Sequence, residues 1–142
     1  MCYRVIPMNE TELTALLRQN TDFSHVAPAA LAKLIQSGER HDLGAGVELI
    51  RQGETGQRIW ILISGAFEAL VDGEIVNRVT SSGEVVGQIS AVSATPATAT
   101  IRVTTAGECL SVTHHDLHEA MEKHPDLAEA LLRSMAKYLG RR

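Results

Sequence analysis

Between Val85 and Thr100 the chain reads VVGQISAVSATPATAT: a glycine, small and hydroxyl-bearing residues, a lone proline, then alternating alanine and threonine. A glycine at a turn into a short helix leaves the first N–H groups of that helix without intrahelical partners, and such groups cradle a phosphate. Gly87, Gln88 and Ile89 are the candidate backbone donors, and Ser90 and Thr98 the candidate hydroxyls. No Arg, Lys, Asp or Glu lies between Val85 and Thr100. Ser93 and Thr95 add hydroxyls of the kind that ordinary capped loops carry.

Other groupings carry less chemistry. His114, His115, His118 and His124 cluster in HHDLHEAMEKH, and His114 and His118 stand four apart, on one face of a helix that includes both. No nearby cysteine completes a familiar ligand set, so a solvated helix start is expected here, with His115 and His118 facing water and no metal site. Ser64-Gly65 and Ser81-Ser82-Gly83 are turn residues, not a strand-to-helix nucleophile elbow, and no paired carboxylates for acid–base work are evident. Gly44-Ala45-Gly46 lacks the strand before and the helix after that a dinucleotide fingerprint needs. The chain is expected to be no enzyme, with no catalytic residue and no cofactor.

The elements that must hold the Gly87 segment change period twice along the chain. NETELTALLRQ opens on Asn9 as an N-cap and repeats Leu13, Leu16 and Leu17 at helical spacing; APAALAKLIQSG places Pro28 at a helix start, repeats Leu31, Leu34 and Ile35, and stops at Gly38. From about His41 to His114, short apolar runs alternate with glycine-containing turns every ~8–12 residues, the spacing of a small β-barrel or sandwich. Asp72-Gly73 is a hairpin turn, and Trp60, the only tryptophan, falls in the most apolar strand as a core residue. Helical spacing returns beyond His114, divided at Pro125. Leu117 and Met121 come first; Leu127, Leu131, Leu132, Met135 and Leu139 then follow along one expected face, with Tyr138 beside them.

Composition sets outer limits. The chain has 142 residues, 44% of them hydrophobic and 21% charged, which suits one folded domain with one core. A net charge of −4, with no basic cluster beyond Arg141-Arg142, disfavours a nucleic-acid-binding surface. Cys2 and Cys109 do not make a disulfide framework, and Cys109 reads as a small buried hydrophobe. No run is long enough to span a membrane and no secretory signal stands at the start, so a cytoplasmic location and no membrane partner are expected.

Taken in order, the helices, the strands and the glycines resemble a cyclic-nucleotide-binding domain, the module of catabolite activator proteins, kinase regulatory subunits and cyclic-nucleotide-gated channels. The landmarks are Gly46, Gly53, Gly65 and Gly83 in GVELIRQGETGQRIWILISGAFEAL and the turn that follows it; GQISAVSATPATAT then falls without a gap on the family's phosphate-binding cassette. The resemblance implies a mainly β domain: an eight-stranded, jelly-roll-like β-roll (double-stranded β-helix) with N-terminal helices, a short cassette helix and C-terminal helices. The expected unit is a single domain over 1–142, with a helical segment at 1–40, the roll at 41–113 carrying the cassette at 85–100, and the last helices at 114–142.

In the family, a glutamate just after the cassette glycine accepts from the ribose 2′-hydroxyl, and an arginine just after the proline pairs with the phosphate. Carried onto this sequence, those positions are Gln88 and Ala97, with Gly87 as the glycine and Pro96 as the proline. Both charged anchors are absent, so cyclic AMP or cyclic GMP is expected to bind weakly or not at all. Thr98 stands where cyclic-GMP-preferring relatives carry a threonine, and is equally an ordinary strand-edge residue. Arg102, two residues beyond Thr100 and on the same face, is the nearest candidate substitute, expected to be exposed; Arg51 and Arg78 are the other candidates. The expected roles are a regulatory sensor or, as the alternative, a scaffold that binds no nucleotide. The C-terminal helices would close over a base, pack on the roll, or pair two copies as a homodimer. The alternative setting is a segment of a larger channel, transporter or lipase-like protein, and since no helix-turn-helix follows Gly140, action as a transcription factor by this chain alone is not expected.

Overall fold

The computed structural model describes residues 8–55 and 58–139, with side chains as far as 136. Cys2, Arg141-Arg142 and the side chains of Tyr138 and Leu139 lie outside the described residues.

Helix α1 (Glu10–Gln19) starts at Asn9 with a reciprocal capping box to Glu12 and buries Leu13 and Leu17. Helix α2 (Pro28–Gln36) has proline in its first turn and buries Ala30, Leu31, Leu34 and Ile35. Eight strands follow: β1 (Glu39–Leu43), β2 (Glu48–Ile50), β3 (Arg58–Leu62), β4 (Ala66–Val71), β5 (Glu74–Val79), β6 (Val85–Val86), β7 (Thr100–Thr105) and β8 (Gly107–Thr113), with the short helix α3 (Gln88–Ser93) between β6 and β7. Helices α4 (His114–Lys123) and α5 (Pro125–Leu139) complete the order. The roll thus begins at Glu39, two residues ahead of the expected boundary at 41.

The strands form two antiparallel four-stranded sheets, ordered β1-β8-β3-β6 and β2-β7-β4-β5. Of the consecutive strands, only β4 and β5 pair as a hairpin in one sheet; the other connections cross between sheets, which wraps the chain into the expected eight-stranded roll. The hairpin turns at Asp72 (φ 53) and Gly73 (φ 83), the paired positive φ values whose twist matches that of the flanking strands. Gln52 fastens the exit of β2 to this turn. Its Nε2 donates to the Asp72 carboxylate at 3.1 Å, and its amide oxygen accepts from the Asp72 N–H at 2.8 Å.

Strand alternation divides the core in two. Leu62, Phe67, Val79, Val86, Ile101, Val103 and Cys109 fill the space between the sheets, with Trp60 partly buried beside them. Ile59, Ile61, Leu110 and Val112 face the other way and meet α1, α2, α4 and α5 through Leu17, Leu31, Leu34, Leu117, Leu127 and Leu131. Burial, with Glu108 and Asp42 nearby, pushes the Cys109 thiol up to about 12. On α5 the buried stripe is Leu127, Ala130, Leu131 and Ser134. Leu132, expected on that face, is 60% exposed, because one residue past Leu131 turns it ~100° around the helix. Among the described residues, no helix is long and apolar enough to cross a membrane.

Candidate functional site

Strand β6 delivers the chain to Gly87, which takes φ 86 and ψ 1 and opens α3. That left-handed backbone and a close approach to β3 both require glycine. An added Cβ would lie 2.7 Å from Ile50 Cδ1 and 3.0 Å from the Arg58 carbonyl oxygen. The expected short helix at a glycine is therefore present, and its first intrahelical bond runs from the Ala91 N–H to the Gly87 carbonyl at 3.1 Å.

The side chains near it are engaged within the protein. Gln88 is buried, and its Nε2 donates to Ser134 Oγ on α5 at 2.8 Å. Ser90 Oγ donates to the Thr95 carbonyl, Ser93 Oγ to the Ile89 carbonyl, and the Ser93 and Thr95 hydroxyls lie 2.8 Å apart. These bonds fold the far end of α3 back on itself through Ala94, which also takes a left-handed conformation (φ 55). Ile89 is half-buried and Thr98 is exposed in a bend before β7, not within a strand.

Ala97 is buried, at 6% exposure, and its main chain is bonded in both directions: its N–H donates to the Glu54 carbonyl at 2.8 Å, and its carbonyl accepts from the Gly53 N–H at 2.9 Å. Pro96 bridges Thr55 next to it. The loop returning from α3 is thereby zipped to the turn that leads from β2 into β3.

A cavity of about 330 Å³ opens at this mouth of the roll, with Ile50, Arg51, Glu54, Thr55, Arg58 and Trp60 in its walls. Ile50 and Arg58, which lie against Gly87, join it to the α3 start. Gly87, Gln88, Ile89, Ser90, Ala97 and Thr98 do not line it. Its two guanidinium groups already have partners: Arg51 meets Glu48 at 3.2 Å and Glu54 at 4.0 Å, and Arg58 meets Glu39 at 3.3 Å and the Ser111 hydroxyl at 3.0 Å. Trp60 stacks at a tilt on His41, with ring centroids 5.0 Å apart, and His41 Nε2 lies 2.9 Å from the same Ser111 hydroxyl.

Arg102 points elsewhere. Ile101 and Val103 face the interior, so Arg102 projects from the opposite face of its sheet, where Nε and Nη2 both donate to Glu68 Oε1, at 2.8 and 2.5 Å. Arg78 stands opposite Glu68 on the neighbouring strand. The short helix does open at Gly87; the partner of Gln88, Ser134, was not foreseen, though its position in the apolar stripe of α5, at i+7 from Leu127 and i+4 from Ala130, was the available signal. His118, expected to face water, is half-buried, with Nε2 3.2 Å from the Ala91 carbonyl.

Residues 40–124 match the cyclic nucleotide-binding domain family. The chain is 28% identical over 123 residues to a CRP-like cAMP-activated global transcriptional regulator of Mycobacterium tuberculosis, covering 84% of this chain and 55% of the relative. It is 26% identical over 129 residues to an uncharacterized NTE family protein of Mycobacterium bovis, covering 91% of this chain and 22% of the relative. The chain therefore spans about half or less of these relatives. In fold it is similar to the cAMP-bound PfPKA-R structure, with a TM-score of 0.77 at 18% identity over 89% of this chain and 44% of that one.

Proposed function

The chain belongs to the cyclic nucleotide-binding domain family, and from that premise we propose that it is a regulatory module whose cassette holds cyclic AMP or cyclic GMP weakly or not at all. The observation that carries this reading is the side chain of Gln88. It stands where the family's ribose-binding glutamate would be, yet it is buried and its amide donates to Ser134. The phosphate position offers only Ala97, and Arg102, the nearest candidate substitute, pairs with Glu68 on the far face of its sheet. A hydrogen bond to a charged group contributes roughly 1.5–3 kcal/mol, so the missing guanidinium alone weakens phosphate binding by ~10- to 100-fold.

The output of such a module travels through its last helix. Helix α5 touches the cassette through Ser134 and the N-terminal helices through Asp126, whose carboxylate accepts from the Ala27 N–H at 2.8 Å. A ligand shifts the position of α5 only insofar as it prefers one position over the other. The Gln88–Ser134 bond also favours a second reading, a scaffold whose α5 is held down without nucleotide, either alone or as one segment of a larger protein.

Isothermal titration with cyclic AMP and cyclic GMP tests the proposal. The expected result is no saturable heat below about millimolar ligand for the natural sequence and a gain of ~10-fold or more for the Gln88→Glu, Ala97→Arg double variant. Micromolar binding by the natural sequence would overturn impairment. A silent double variant would favour the scaffold.

A further inference from the structure

We propose that the first turn of α4 is a binding site for a divalent transition metal ion of the zinc class, ligated by the imidazoles of His114 and His118. The helix begins at His114, after the Thr113 hydroxyl accepts from the Asp116 N–H at 3.2 Å, so residues 114 and 118 stand one above the other. Their ring centroids are 4.4 Å apart. Two histidines four apart on one helical face form the same pairing that holds zinc in helical metal motifs.

The carbonyl of Ala91, on α3, settles which nitrogen of His118 is available. A carbonyl only accepts, so the contact of 3.2 Å makes Nε2 the N–H donor and leaves the lone pair on Nδ1. Histidines that bind metals characteristically donate their other ring N–H to a backbone carbonyl or carboxylate, which orients the ring and makes the ligating nitrogen more basic. That supporting bond is already in place here.

A cleft of about 540 Å³ opens beside the pair, walled by Arg58, Thr113, His114, His115 and His118, and its size admits the waters that complete a coordination sphere. The one guanidinium in that wall, Arg58, is held by Glu39 at 3.3 Å and by the Ser111 hydroxyl at 3.0 Å, and the Glu39 carboxylate offsets part of its charge. His115, Asp116 and Glu119 form a neighbouring set whose ligand atoms lie within 4.8 Å of one another. Its glutamate already accepts from Lys123 at 3.0 Å, a bond with which a metal would have to compete. Metal at His118 would also fasten α4 to α3 through the Ala91 carbonyl.

The test is a titration of the untagged full chain with zinc chloride, followed by calorimetry and by the imidazole NMR signals. The variants are H114A, H118A and E119Q, each checked for folding by circular dichroism. The expected result is one saturable site that shifts the His114 and His118 resonances, weakened ~10-fold or more in H114A and in H118A and unchanged within ~2-fold in E119Q. H114A separates loss of a ligand from loss of the Ala91 contact. Absence of saturable binding overturns the proposal. So does a loss in E119Q as large as that in H114A.

Discussion

Helix α1 begins at Asn9, whose side chain accepts from the Glu12 N–H at 2.8 Å while Glu12 reaches back to the Asn9 N–H at 3.3 Å. Helix α3 begins at Gly87, which makes no side-chain cap. The backbone explains the contrast. Asn9 is extended, a conformation open to residues with a capping group, whereas the left-handed φ of Gly87 selects the one residue without a side chain. The polar side chains of the α3 segment are spent at its far end, by Ser90, Ser93 and Thr95, or on α5, by Gln88. One helix start is finished by its own sequence; the other depends on the elements packed around it.

The contrast breaks most sharply at Gly87. Gly87→Ala combines a left-handed φ with contacts of 2.7 and 3.0 Å, and should cost about 3 kcal/mol in urea unfolding. Gly53→Ala is its control: φ is +85 but nothing lies within 4 Å, so about 1 kcal/mol is expected from strain alone. Equal costs at the two sites would mean that the β3 wall yields and that contact contributes nothing.

Ser134→Ala comes next. It leaves the Gln88 amide buried without its acceptor and should cost about 2 kcal/mol. Faster amide exchange in α3 should accompany the loss if α5 steadies the cassette. Asn9→Ala should cost about 1 kcal/mol, confined to α1 and leaving α3 exchange unchanged.

The smallest effect concerns the start of α2, which is completed from a distance by Asp126. Bonding to the Ala27 N–H, and then to that of Leu127, holds its carboxyl below the usual aspartate range. A lowered folded-state pKa gives stability that is present above the unfolded value and lost as pH falls through the folded one. Urea midpoints should therefore fall from pH 6 towards pH 3, and less steeply in Asp126→Asn. Equal slopes would show that the bond does not favour the carboxylate.

The periodic parts of this fold were legible because each depends on near neighbours. Asn9 and Glu12 lie three apart, Pro28 marks its own helix, and Gly46, Gly53, Gly65 and Gly83 all proved to occupy left-handed positions. The cassette helix at Gly87 was legible for the same reason. Contacts between distant segments were not. Gln88 finds Ser134 and Asp126 finds Ala27 only once the helices have docked, and Arg102 finds Glu68 only once β7 pairs with β4. Leu132 misled because hydrophobicity alone does not state where on a helix the buried stripe ends.

Cys109 gives the molecule a built-in stopwatch. A sulfhydryl whose ionisation burial opposes, sealed between two sheets, stays protonated at pH 8, and reagents cannot reach it until the sheets part. In a Cys2→Ser background, the pace of thiol labelling would time how often the whole roll springs open, and any occupant that steadies the closed form would slow it in proportion.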